Sequence, residues 1–376
     1  MEIKTLSSIT SVPFNDMLET FFDAYEVNED IECYQFVASP YGLGTGTSFD
    51  DLNKINFQSR VVIFNVIDTF VDDTDNVAVD ELIKFCENHP EQNFIISTCH
   101  LNFQREVQLP NLYLDSYVPT SFSENFEHCE KKNLTGRWVT FNSSTKLHRV
   151  LTVCYLLSKD YHRNGLITFD MNTPTLVKYD QYRNIRKIPS YDLRSSFAKG
   201  FVAFKAKDFN KIKVRKIDYN DLRVSNNYNT HLIPVYEKVA VEIITGTSFF
   251  EKTPVFSEKE MQSIYAKNFP IFINGVGMAK EIKNFFGVDI FEDIVDHSYD
   301  DIEDHFERLA AAIDRNQHLL DGSTNIKELW YDNKKRFDDN CEKMDLMLHA
   351  GEYQQTFNHE RIKRGLSHFN VSFVKK

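Results

Sequence analysis

A chain of 376 residues, 42% hydrophobic and 14% aromatic, carries enough apolar material for two cores and too much for a disordered polymer. Its formal net charge of -12 argues against nucleic acid as a partner, because neutralising a phosphate backbone needs a basic face. The six cysteines show no C-x-x-C pair, the amino terminus is polar and no apolar run approaches about 18 residues, so we expect no zinc site, disulfide framework, signal peptide or membrane span, and a reducing, cytoplasmic location.

In chain order, "YGLGTGTSF" (41–49) departs from G-x-G-x-x-G and reads as a flexible turn. "RVVIFNVID" (60–68) is a buried strand ending at Asp68, "DELIKFCENH" (80–89) has helical spacing through Leu82, Ile83 and Phe85, and "NFIISTCH" (93–100) is a strand ending at His100. This βαβ pattern predicts a parallel sheet covered by helices, with ligands at the carboxyl ends of its strands. Asp68 and His100 are therefore candidates for a catalytic base, although polar residues also end strands as plain turns. The acidic triplet Asp73 to Asp75 reads as a solvated loop rather than a metal site.

The polar interval 127–137 reads as a linker. Beyond it come a strand, a polar loop, a helix and a second strand, with Leu147, Val150, Leu151 and Cys154 on one buried face and Ser143 or Ser144 as cap. Arg149 then falls near the positive end of the helix dipole, where it favours an anion more than it favours folding. The basic, tyrosine-rich stretch at about 170–235 reads as a solvated face, and 236–246 as a strand. Ser257 and Glu260 have the spacing of a capping box, which explains those two residues but not Glu258 and Lys259 between them. Beside free backbone N–H groups, Lys259 can clamp a diphosphate and Glu258 can accept from a ribose diol. A strand over Phe269–Ile273 leads to the turn Asn274, Gly275, Val276, Gly277, and residues 300–376 are helical.

Two stretches, "VTFNSSTKLHRVLTVCYLLSKDYHRNGLITF" and the longer one from "VEIITG" through "FSEKEMQSIYAKNFPIFINGVG" to "HSYDDIEDHFERLAAAI", resemble fucosyltransferase-like glycosyltransferases, among them viral and bacterial members. The resemblance covers about residues 133–320. It implies a GT-B fold, two Rossmann-like domains facing a cleft, with the nucleotide-sugar held mainly by the second. On this chain it implies an acceptor-side domain over 1–132, a donor domain over 133–330 and a helical segment over 331–376.

Arg149 and Lys259 match the cations that face the diphosphate, Glu258 the carboxylate near the ribose, and Asn142 and His148 two further motif positions. Asn274, Gly275 and Gly277 would let the backbone approach the same ligand. Gly246 stands where related sequences usually carry Glu, and Gln262 and Ser263 replace a common Lys and Pro. The implied activity is a metal-independent, inverting transfer of a sugar from a nucleotide-sugar donor to a glycan or other hydroxyl acceptor, with no cofactor. The alternatives are a non-catalytic nucleotide- or glycan-binding module of the same fold, or a nucleic-acid-modifying sugar transferase.

Overall fold

The computed structural model describes residues 3–5, 16–39, 42–43, 52–69, 83–98, 109–116, 128–142, 147–169, 185–205, 228–246, 249, 254–348 and 351–376. His100, Ser143, Ser144, the triplet Asp73 to Asp75 and much of the basic middle stretch lie outside them. The fold is α/β with parallel sheets. The chain divides into two compact units: Met1–Glu124 with Thr253–Phe256 and Asp345–Lys376, and Asn125–Lys252 with Ser257–Met344.

The first unit opens with β1 (Ile3–Thr5), α1 (Asp16–Ala24), β2 (Tyr25–Val27), β3 (Ile31–Ser39), β4 (Gly42–Leu43), β5 (Val61–Thr69), β6 (Asn93–Thr98) and β7 (Leu112–Ser116). Its sheet runs β1-β3-β5-β6-β7 with every neighbouring pair parallel, and β4 folds back antiparallel on β3. Gly42 and Leu43, expected in a flexible turn, are thus held by pairing with Ser39 and Ala38.

Consecutive buried residues in β5 show why the strand is apolar throughout: Val62 and Phe64 pack with Phe94, Ile96 and Leu114, while Val61 and Ile63 pack with Cys33, Ile95 and Leu366. A parallel strand covered on both faces reads as an unbroken apolar run. Asp68 lies inside β5, next to its last residue, and its side chain is not among those described. Spatial and chain order run together in this sheet, so its described strands contain no order reversal.

The second unit contains β8 (Arg137–Asn142), α2 (Leu147–Ser158), β9 (Gly165–Phe169), α3 (Tyr191–Lys205), α4 (Tyr228–Tyr236), β10 (Val239–Thr245), α5 (Glu258–Tyr265), β11 (Phe269–Ile273), α6 (Met278–Phe286), α7 (His305–Arg315), α8 (Gln317–Leu320), α9 (Ile326–Asp332) and α10 (Lys334–Leu348). Its parallel sheet has the order β11-β10-β8-β9. From β8 the chain passes to β9 on one side, then returns to place β10 and β11 on the other, so the order reverses between β8 and β10. All twelve residues of α2 are buried, not one face of it as its periodicity suggests. A cause is α3, which comes so close at Gly200 that a Cβ there would stand 1.7 Å from the Cys154 carbonyl oxygen.

The expected linker is part of this unit. Cys129 N donates to Tyr265 O at 3.0 Å, Lys132 N to Glu237 O at 2.8 Å and Thr135 N to Lys238 O at 2.9 Å, so its charged side chains belong to a tethered backbone. The division at 124/125 falls before the expected 132/133. The carboxyl-terminal helices are also shared out: from Asp345 the chain counts with the first unit, where α11 (Gly351–His368) carries Arg361 to within 2.8 Å of Asp115 on β7, and β12 (Phe373–Lys375) pairs antiparallel with β2. Among the described residues no helix is long and apolar enough to cross a membrane.

Candidate functional site

In an open α/β sheet, ligands collect outside the carboxyl ends of the strands where the strand order reverses. In the second unit that point lies between Asn142, the last residue of β8, and Thr245, the last of β10. Thr245 Oγ1 stands 3.0 Å from Asn142 Oδ1, so the two strand ends are joined across the reversal.

The loop after β10 starts at Gly246, whose N–H donates to Ile273 O at 3.0 Å and extends the pairing with β11. Its carbonyl oxygen receives the first turn of α2: His148 Nε2 lies 3.0 Å away and Arg149 Nη2 donates to it at 3.4 Å. Arg149 occupies the first turn, as its position in the sequence implies, but it is 3% exposed and not the solvent-facing cation that reading assumed. On its other side Gly246 faces Asn274. A Cβ at Gly246 would stand 2.2 Å from Asn274 Nδ2 and 3.2 Å from Glu260 Oε1, which explains the absence of a side chain here.

Glu260 has two tasks. Its Oε2 accepts from Ser257 N at 2.9 Å and Ser257 Oγ at 2.7 Å, completing the capping box. Its Oε1 accepts from Asn274 Nδ2 at 3.0 Å, fastening the first turn of α5 to the end of β11. Lys259 lies in that same turn, half-buried, and Glu258 is its first residue, with a side chain outside the described ones.

Residues 274–277 form a tight structure of their own. Gly275 N donates to Asn274 Oδ1 at 2.7 Å, and Gly277, at φ 80°, adopts the left-handed conformation that glycine enters at little cost. The amino end of α6 that follows is filled from within the protein: Asp300 Oδ2 accepts from Ala279 N at 2.7 Å and Lys280 N at 3.3 Å, while Asp300 O accepts from Gly277 N at 3.0 Å. The backbone N–H groups that follow the 274–277 turn are thus met by this carboxylate.

Burial pushes the Asp300 carboxyl up from 3.8 to about 7, outweighing the bonds from Ala279 and Lys280 that favour its charge. The folded state therefore holds a proton that the unfolded state has released between about pH 4 and pH 7, and Asp300 lowers stability progressively as pH rises through that window. Asp300→Asn keeps an acceptor without the charge, so its stability relative to wild type is expected to climb from pH 4 to pH 7. Unfolding followed by the fluorescence of Trp138 and Trp330, both in the second unit, measures this, and parallel profiles would refute it.

Arg308 on α7 escaped the sequence reading. Its Nε donates to Asn274 O at 3.2 Å, Nη1 to Ile302 O at 2.6 Å and Glu303 O at 3.1 Å, and Nη2 to Phe249 O at 3.0 Å. One buried guanidinium thus gathers three loops at the carboxyl edge of the sheet. It lies 5.6 Å from the centre of the Phe249 ring, on which His148 stacks at 5.4 Å, and burial lowers its pKa to about 10. The signal available in the sequence was an arginine among the apolar residues Leu309, Ala312 and Ile313 of one helix.

No group of three or more His, Cys, Asp or Glu among the described residues could hold a metal ion. No known protein family, curated protein or solved structure matches this chain.

Proposed function

We propose that the second unit binds a nucleoside diphosphate at the carboxyl edge of its sheet, and that the protein is a metal-independent, inverting glycosyltransferase using a nucleotide-sugar. The observation that carries this reading is the convergence on Gly246: the first turn of α2 with Arg149, the first turn of α5 with Lys259, and the strand ends at Asn142 and Thr245 meet at the order reversal. The acceptor oxygen would attack the anomeric carbon as the bond to the diphosphate oxygen breaks. Arg149 and Lys259 would take up the charge of the departing diphosphate, and the acceptor's proton would pass to a base, for which Asp68 and His100 are the sequence's candidates.

A binding module without turnover is the second reading. Gly246 and Gln262 favour it, because they stand where the resembled family usually carries Glu and Lys.

Titration with a panel of nucleoside diphosphates in excess chelator, alongside a turnover assay with nucleotide-sugars, tests both. Lys259→Ala is expected to weaken diphosphate binding by about 1.5–3 kcal/mol, the scale of hydrogen bonds to charged groups, with little change in stability. Arg149→Ala is the less clean variant, since removing a buried side chain also lowers stability. Binding without turnover selects the module. Unchanged affinity in Lys259→Ala would remove the diphosphate from this edge.

A further inference from the structure

A second buried polar cluster lies within the same unit, toward the amino ends of its strands. Lys131 precedes β8, Tyr236 ends α4, Glu242 sits inside β10 and Asn268 immediately precedes β11. None of the four is more than 9% exposed. Lys131 Nζ donates to Asn268 Oδ1 at 2.6 Å and to Tyr236 O at 2.8 Å. Asn268 Nδ2 donates to Glu242 Oε2 at 3.1 Å, and the Tyr236 hydroxyl donates to Glu242 Oε1 at 3.0 Å. The amide of Asn268 has a set direction: it turns its oxygen to the amine and its NH2 to the carboxylate, linking a buried base to a buried acid that do not touch.

We propose that Lys131, Asn268 and Glu242 form a proton-gated clasp that ties the segment before β8 to β10 and β11, with bonding states that interconvert by protonation. The observed contacts suit one of these states. Two acceptors match the two N–H groups of a neutral amine, and two donors match a carboxylate. An ammonium brings a third N–H into the cluster. A protonated Glu242 brings an O–H, with the Ser263 hydroxyl of α5, 1% exposed, beside the carboxyl as well as that of Tyr236.

The groups facing the pair are Cys129 beside Lys131, Tyr236, Ser263, Lys267 and Cys341 of α10. Burial is the largest influence on both members, raising Glu242 from 4.5 to about 7 and lowering Lys131 from 10.5 to about 7. The signs are opposite. For Glu242 the folded state keeps a proton that the unfolded state has lost, so its contribution to stability falls as pH rises from about 4.5 to 7. For Lys131 the folded state has lost a proton that the unfolded state keeps, so its contribution rises as pH climbs from about 7 to 10.5. The clasp is thus loosest at neutrality and tightens on either side.

The test is urea unfolding read by tryptophan fluorescence across this range. The only two tryptophans, Trp138 and Trp330, lie in the second unit, and Trp330 Nε1 donates at 2.8 Å to the carbonyl of Lys267, the residue before Asn268. Measured against the double variant Glu242→Gln/Lys131→Met, which cancels contributions from other groups, the wild-type unfolding constant should peak near neutrality and change by up to about tenfold per pH unit on each side. Lys131→Met should keep the acid limb and Glu242→Gln the alkaline one. Parallel wild-type and double-variant profiles overturn the proposal. Should the variants fail to fold, carbon NMR of labelled lysine side chains in the wild type decides: one lysine titrating near neutrality supports the clasp, and every lysine titrating above about pH 9 overturns it.

Discussion

Replacing Arg308 by methionine is expected to cost the second unit about 3–5 kcal/mol, the scale of breaking a buried charged hydrogen-bonding group. Methionine restores most of the apolar stem, so the loss isolates the guanidinium. Its four bonds end on the carbonyl oxygens of Asn274, Ile302, Glu303 and Phe249, all acceptors on loops with no strand ladder to turn to. An acceptor buried without its donor pays its desolvation in full, which is why removing one partner costs more than the bond is worth in isolation. Because Arg308 also holds Phe249 and Asn274 on either side of the Gly246 loop, the same variant should weaken nucleoside diphosphate binding. Urea unfolding read by Trp138 and Trp330 gives the first number and titration of the folded variant the second. A loss below about 1 kcal/mol would show that water or relaxation satisfies those carbonyls, and that Arg308 does not organise the edge.

Gly246→Ala is expected to cost about 2–4 kcal/mol, combining the overpacking of one methyl group with the strain or loss of the Asn274–Glu260 bond. At 2.2 Å from Asn274 Nδ2 and 2.7 Å from Asn274 Cγ, the new Cβ cannot be accommodated unless Asn274 moves, and moving it pulls on Glu260 and the capping box of α5. The expected signature is non-additivity. Asn274→Ser alone should destabilise, by loss of its bonds to Glu260 and Gly275, yet in combination with Gly246→Ala it should recover part of the cost because it supplies the missing space. Additive losses in the double variant would mean that the two residues do not compete for that space. The same crowding accounts for the absence of a side chain at position 246, where Asn274 and Glu260 already fill the volume it would need.

Much of this was legible in the linear sequence, because local chemistry determined it. Apolar runs such as Val61 to Phe64 and Phe269 to Ile273, short and rich in β-branched and aromatic residues, read as buried strands, and the Ser257–Glu260 spacing is a capping box in the sequence and in the structure alike, since its bonds close within one helical turn. The place of Arg149 in the first turn of its helix was likewise a matter of counting. Its burial was not, because it depends on groups far along the chain, among them the carbonyl oxygen of Gly246, 97 positions away, to which it donates. For the same reason the sequence could not show that the interval 127–137 is tied to α4 and α5, that Asp300 fills the amino end of α6, or that Arg308 gathers three loops. Each depends on a partner brought in by the order β11-β10-β8-β9, which is chosen by the packing of whole faces and leaves no mark on any short stretch of residues.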